Sequence, residues 1–129
     1  MIKRKVKIKL GALALACCTL ISSTAFAGYI VAGNYTGTNA KSAYTILGNG
    51  THYLWGNTSI GSATISAKKV NSCAPDATVA KIKYTAGGGT SPSQSFNASA
   101  YSKNGQPQSY YILFQGNNSS TKGRAGITH

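Results

Sequence analysis

Tyr110-Tyr111-Ile112-Leu113-Phe114 is the only run of five consecutive large, β-favouring residues beyond the N-terminal segment. Aromatic and β-branched side chains at this density fit a pleated, buried strand. Successive strand side chains point to opposite faces, so Tyr110, Ile112 and Phe114 share one face and Tyr111 and Leu113 the other. Apolar residues on both faces predict a central strand that is covered on both sides. Such a strand needs neighbours, and the rest of the chain offers them as short alternating segments broken by Gly, Asn, Pro and Ser.

Taken in order, Tyr29 to Thr36 reads as a strand with Tyr29, Val31, Gly33 and Tyr35 on one face. Ala43 to Leu47 and Thr51 to Trp55 flank Gly48-Asn49-Gly50, a three-residue connection that predicts a hairpin. Thr58 to Val70 reads as one long strand, with Ile65 and Ala67 against Thr64, Ser66 and Lys68. Ala77 to Tyr84 alternates cleanly, with Ala80, Ile82 and Tyr84 inward and Lys81 and Lys83 outward. Gly87-Gly88-Gly89 breaks the chain before a strand at Gln94 to Tyr101, and Lys103 to Pro107 is expected to form a looser hairpin into the Tyr110 strand. Residues 116–129 hold almost nothing to anchor a core, so they are expected to form a mobile basic tail.

No segment after the leader has convincing helical periodicity, and Gly recurs too often for helices. About seven short strands with turn signals roughly every ten residues predict an all-β domain, a small antiparallel β-sandwich or small barrel. The domain boundaries expected are 1–27 for a leader, 28–115 for one β domain and 116–129 for the tail.

The leader is read from Met1 to Lys9, which is basic, from the apolar run Leu10 to Ile21, and from the small residues of Ala25-Phe26-Ala27. That order is a secretory signal peptide cleaved after Ala27, and it predicts a secreted or periplasmic protein. The apolar run is shorter than a membrane span requires. Lipid attachment at Cys17 is a minor alternative, because Leu15 sits where such a signal wants a small residue.

Cleavage removes five of the 13 Lys and Arg and leaves eight against a single acid, Asp76. It also removes Cys17 and Cys18, so Cys73 has no internal disulfide partner. Its place among the turn formers Asn71-Ser72-Cys73-Ala74-Pro75-Asp76 predicts exposure, and a disulfide-linked homodimer is one use of such a thiol.

Catalytic chemistry is poorly provided for. Paired-carboxylate hydrolysis needs two acids, and only Asp76 is present. A triad would have to join Asp76 to His52 or His129 and a serine that no nucleophile-elbow pattern selects. His52, His129, Cys73 and Asp76 show no metal-ligand spacing, and the glycine run lacks the phosphate-loop pattern. No cofactor is expected. Asn-x-Ser/Thr triplets are frequent enough in this composition to arise by chance.

What remains is surface chemistry. All eight Tyr and Trp55 lie after the leader, beside lysines with almost no acid to neutralise them. A basic surface of this kind concentrates polyanions. The expectation is therefore a non-enzymatic binding or structural module of the cell envelope or extracellular space. Lys81, Lys83, Lys68, Lys69, Tyr53 and Trp55 are the candidate binding residues, for an acidic envelope polymer, an anionic lipid head group or an acidic protein. The layout of a leader followed by a short Tyr-, Ser- and Gly-rich β domain is similar to that of lactococcin-972-like bacteriocins. That resemblance implies the alternative, a secreted cationic antibacterial protein.

Overall fold

The computed structural model describes residues 30–129, so the expected leader, Cys17 and Tyr29 lie outside the described residues. Among the described residues the protein is all-β, with nine strands in two antiparallel sheets and no helix. Sheet one has the order β1-β9-β4-β7, from β1 (Val31–Thr36), β9 (Lys122–Thr128), β4 (Gly50–Ile60) and β7 (Ser93–Ala98). Sheet two has the order β2-β8-β5-β6, from β2 (Ala40–Lys41), β8 (Ser109–Gly116), β5 (Ser62–Lys69) and β6 (Ala77–Thr85). The short β3 (Thr45–Ile46) lies along the same edge of β8 as β2. The sheets pack as a sandwich.

The five-residue run sits where its composition demands. It forms most of β8, flanked by β5 on one side and β2 and β3 on the other. Tyr110, Ile112 and Phe114 face the core at 1%, 0% and 0% exposure. Across β5 and β6 the inward row continues as Ile65 paired with both Phe114 and Ile82, and Ala67 with both Ile112 and Ala80. From sheet one the core receives Leu54, Phe96, Ala125, Ile127 and Tyr35, whose ring stacks on Phe114 at 5.7 Å. Each fully buried Leu or Ile contributes about 1.5–3 kcal/mol relative to exposure.

Three expectations about connectivity are corrected. The Gly48-Asn49-Gly50 turn is present, with Gly48 and Gly50 at φ 84° and 119°, but it joins no hairpin. β3 pairs with β8 and β4 pairs with β7 and β9, so the turn carries the chain from one sheet to the other. Thr58 to Val70 is likewise not one strand. Gly61, at φ 77°, turns a corner between β4 in sheet one and β5 in sheet two, just after a register shift between Thr58 and Ile60. A left-handed backbone at that corner is unstrained only for glycine. The Lys103–Pro107 segment closes through a Tyr101–Pro107 bridge, yet the strands it connects, β7 and β8, belong to different sheets.

The largest correction concerns residues 116–129. They are not a tail: Lys122–Thr128 forms β9, the strand held between β1 and β4 at the centre of sheet one. Its inward residues are Gly123, Ala125 and Ile127, all buried, and its outward residues include Lys122 and Arg124, both exposed. The residue at Gly123 has no side chain because the Asn57 backbone and the Phe114 ring fill the space. A Cβ on Gly123 would collide with the Asn57 carbonyl and meet the Phe114 ring at 2.9 Å. The turn into β9 is fastened by Thr121, fully buried, whose hydroxyl donates to Asn117 Oδ1 at 2.7 Å.

Candidate binding surfaces

Alternation in two sheets gives the sandwich two outer faces, and the candidate residues divide between them. On sheet two the outward residues pair across strands as Lys83–Thr64–Gln115, then Lys81–Ser66–Leu113–Lys41, then Thr78–Lys68–Tyr111. Lys41, Lys68, Lys81 and Lys83 therefore share one face. Lys81 and Lys83 are exposed as the alternation predicts, two residues and roughly 7 Å apart along β6. Lys41 stands three ladder steps, roughly 14 Å, from Lys81. Ser66, between them, is only 4% exposed. The aliphatic stems of lysines on such a face cover polar backbone and short side chains while the ammonium groups stay in water.

At one end of this face an aromatic pair is tied to the single acid. Tyr44 stacks on Tyr111 with ring centroids 5.2 Å apart, and Lys41 Nζ lies 5.5 Å from the Tyr111 centroid. The Tyr111 hydroxyl donates to Asp76 Oδ2 at 2.8 Å, and the Asn71 backbone N–H donates to Asp76 Oδ1 at 2.9 Å. The Asn71 donor first and the Tyr111 hydroxyl second hold the Asp76 carboxyl below its usual range, with Lys68 and Lys41 adding to the effect. Burial first, and the adjacent carboxylate second, push the Tyr111 hydroxyl up to about 12. Asp76 is thereby an anchored carboxylate, engaged in holding the β5–β6 connection against β8. Lys68 Nζ donates to Thr78 Oγ1 at 2.8 Å, which fixes its direction along the face.

Lys69 does not join this group. It pairs with Tyr110 and Ala77, on the core side of the sheet, because adjacent strand residues point opposite ways. Tyr53 and Trp55 are also separated from the lysines. Both lie on β4, on the outer face of sheet one, where Tyr53 pairs with Thr128 and Trp55 with Gly126. The expected single Lys and Tyr face is thus two faces on opposite sides of the molecule. Composition gave Tyr53 and Trp55 to the same surface as Lys81 and Lys83, but the chain passes between sheets at Gly61. Lys41, Tyr44 and Tyr111 were not singled out by sequence. β2 is only two residues long, so no local alternation marks Lys41, while Tyr111 read as part of the core run.

The groups a triad would need do not meet. His52 is in sheet one at 1% exposure, with Nδ1 3.1 Å from the Gly50 carbonyl and Nε2 3.1 Å from the Leu47 carbonyl. Its ring is 5.4 Å from that of His129. Asp76 is engaged on sheet two, as described. Cys73 is exposed and free, as its turn-rich surroundings predict, with Ser72 Oγ at 3.6 Å. Among the described residues no group of three or more His, Cys, Asp or Glu gathers around a common point.

Comparison of the chain with protein-family models, with curated proteins and with solved structures returned no match.

Proposed function

We propose that this protein is an exported, non-enzymatic binding module that engages an acidic envelope polymer through the outer face of sheet two. The observation that carries this reading is the register that brings Lys41, Lys68, Lys81 and Lys83 onto one face whose nearest carboxylate, Asp76, is already bonded to Tyr111 and Asn71. Four ammonium groups spread over about 14 Å match a polymer with repeated negative charges better than a single small anion. Export is the expectation drawn from the leader and is part of the same proposal.

The test is binding of the protein, purified without its leader, to an immobilised glycerol-phosphate polymer at low and high salt. A lysine beside an anionic surface is worth about 1 kcal/mol, so Lys81→Ala with Lys83→Ala should weaken binding by roughly 30-fold. Affinity should fall steeply with salt, as screening shortens the reach of each charge. Unchanged affinity of the double variant at low salt sinks the reading. The same preparations also test the alternative of a cationic antibacterial protein, which predicts growth inhibition of bacteria that the double substitution removes.

A further inference from the structure

The outer face of sheet one carries a second, chemically different surface. Asn34, Thr36, Asn57, Ser59, Lys122 and Arg124 line an open groove of about 210 Å³. The ladder sets its layout: Arg124 is paired with Asn34 on β1 and with Asn57 on β4, so a guanidinium stands in one row between two amides. Neighbouring strands are roughly 5 Å apart, so that row offers polar groups at about the width of one sugar ring. The floor is rigid, since Tyr35 and Gly123 beneath it point into the core, Tyr35 against Phe114. Adjacent to the groove on the same face are Trp55, with the Arg124 guanidinium 5.9 Å from its ring, and Tyr53, 42% exposed.

From this we infer that sheet one binds an acidic saccharide along the Arg124 row. Asn57, whose Nδ2 donates to Ser91 Oγ at 2.9 Å, and Ser59, whose hydroxyl donates to the Lys122 carbonyl at 3.4 Å, present mainly acceptors, whereas the Asn34 amide and the Thr36 hydroxyl each offer both a donor and an acceptor. Sugar hydroxyls have the same double character. A bare carboxylate or phosphate accepts only, and would leave the acceptor half of this lining unmatched. The acidic group of the sugar meets Arg124 and Lys122 through charge-assisted hydrogen bonds, and the single Asp or Glu of the chain, Asp76, is engaged on the opposite sheet. The apolar C–H face of a neighbouring sugar is accommodated by Tyr53 and Trp55. The inference is independent of the lysine face of sheet two.

Trp55 is the sole tryptophan, so its fluorescence reports on this face alone. The protein is titrated with an oligogalacturonate, with a neutral galacto-oligosaccharide of equal length, and with inorganic phosphate, each to millimolar concentration. The expected result is a saturable change in Trp55 emission with the oligogalacturonate, a far weaker response to the neutral sugar, and none to phosphate. Arg124→Gln, at an exposed position, should weaken the oligogalacturonate response roughly tenfold while leaving the urea unfolding midpoint in place. Lys81→Ala with Lys83→Ala should leave the response unaltered. The assignment is overturned by no response to the oligogalacturonate, by an equal response to the neutral sugar, or by phosphate reproducing the change. It is also overturned if the lysine variant loses the response and Arg124→Gln keeps it.

Discussion

Ile127→Ala tests whether the segment after residue 121 is structural. Ile127 is fully buried in β9 and is paired with Val31 on one side and Leu54 on the other. Truncation to Ala removes about three methylene equivalents, or ~2.4 kcal/mol of transfer free energy. The cavity left between two sheets that cannot fully collapse raises the cost to about 3 kcal/mol, within the 2–5 kcal/mol typical of such changes. A domain of this size has roughly 5–15 kcal/mol in total, so the loss is large. At about 4–8 °C per kcal/mol, the melting temperature should fall by roughly 12–24 °C. Urea unfolding followed by Trp55 fluorescence gives the free energy directly, because Trp55 is paired with Gly126 beside the mutated position. Ile46→Ala, at a residue 49% exposed, is the control and should cost no more than about 0.5 kcal/mol. If Ile127→Ala costs no more than that control, β9 is not part of the core and the account of sheet one fails.

Tyr111 predicts a response to alkali. Its hydroxyl is raised from the ordinary 10.0 to about 12, so it contributes stability that is complete below pH 10 and lost as pH rises from about 10 to 12. Melting temperature measured across that range should decline in the wild type, and Tyr111→Phe should flatten part of the decline; identical profiles would show that the Asp76 bond has no energetic role. Asp76 works in the other direction. Its lowered value stabilises the fold above the usual carboxylate range and is lost on acidification through the folded value, so Asp76→Asn should reduce the acid sensitivity of the melting temperature. Cys73, exposed and free, should give a covalent dimer on non-reducing electrophoresis after air oxidation, and Cys73→Ser should give none. A band at the dimer position in the Cys73→Ser protein would exclude that thiol as the link.

The parts of the fold legible in the sequence are those in which one strand carries its own pattern. β8 announces itself through Tyr110 to Phe114, and β6 through alternation of Ala80 and Ile82 with Lys81 and Lys83, because a strand with large inward residues needs no partner to be recognised. β9 has the same alternation, basic outward and small inward, but Gly123 and Ala125 give almost no hydrophobic signal. Their role is defined by Phe114 across the core and by Tyr35 on the neighbouring strand, which local sequence does not contain. Strand pairing was illegible for a related reason. Of consecutive strands along the chain, only β5 and β6 are ladder neighbours, and the other turns mostly pass from sheet to sheet. Gly48-Asn49-Gly50 and Gly61 reveal where the chain turns, through backbone angles open to glycine, but not into which sheet. The candidate surface suffered accordingly: Lys81 and Lys83 were placed by alternation alone, whereas separating them from Tyr53 and Trp55 required the topology.

The position of β9 also constrains when this molecule is able to fold. While synthesis has reached only residue 121, β1 has no ladder partner and β4 is bonded on one side alone, so sheet one is two separate pieces. Completion waits for a strand far downstream of the one it joins, as the pairing of Val31 with Ile127 shows. Until residues 122–128 are available, a sheet built this way lacks the strand that joins its two halves.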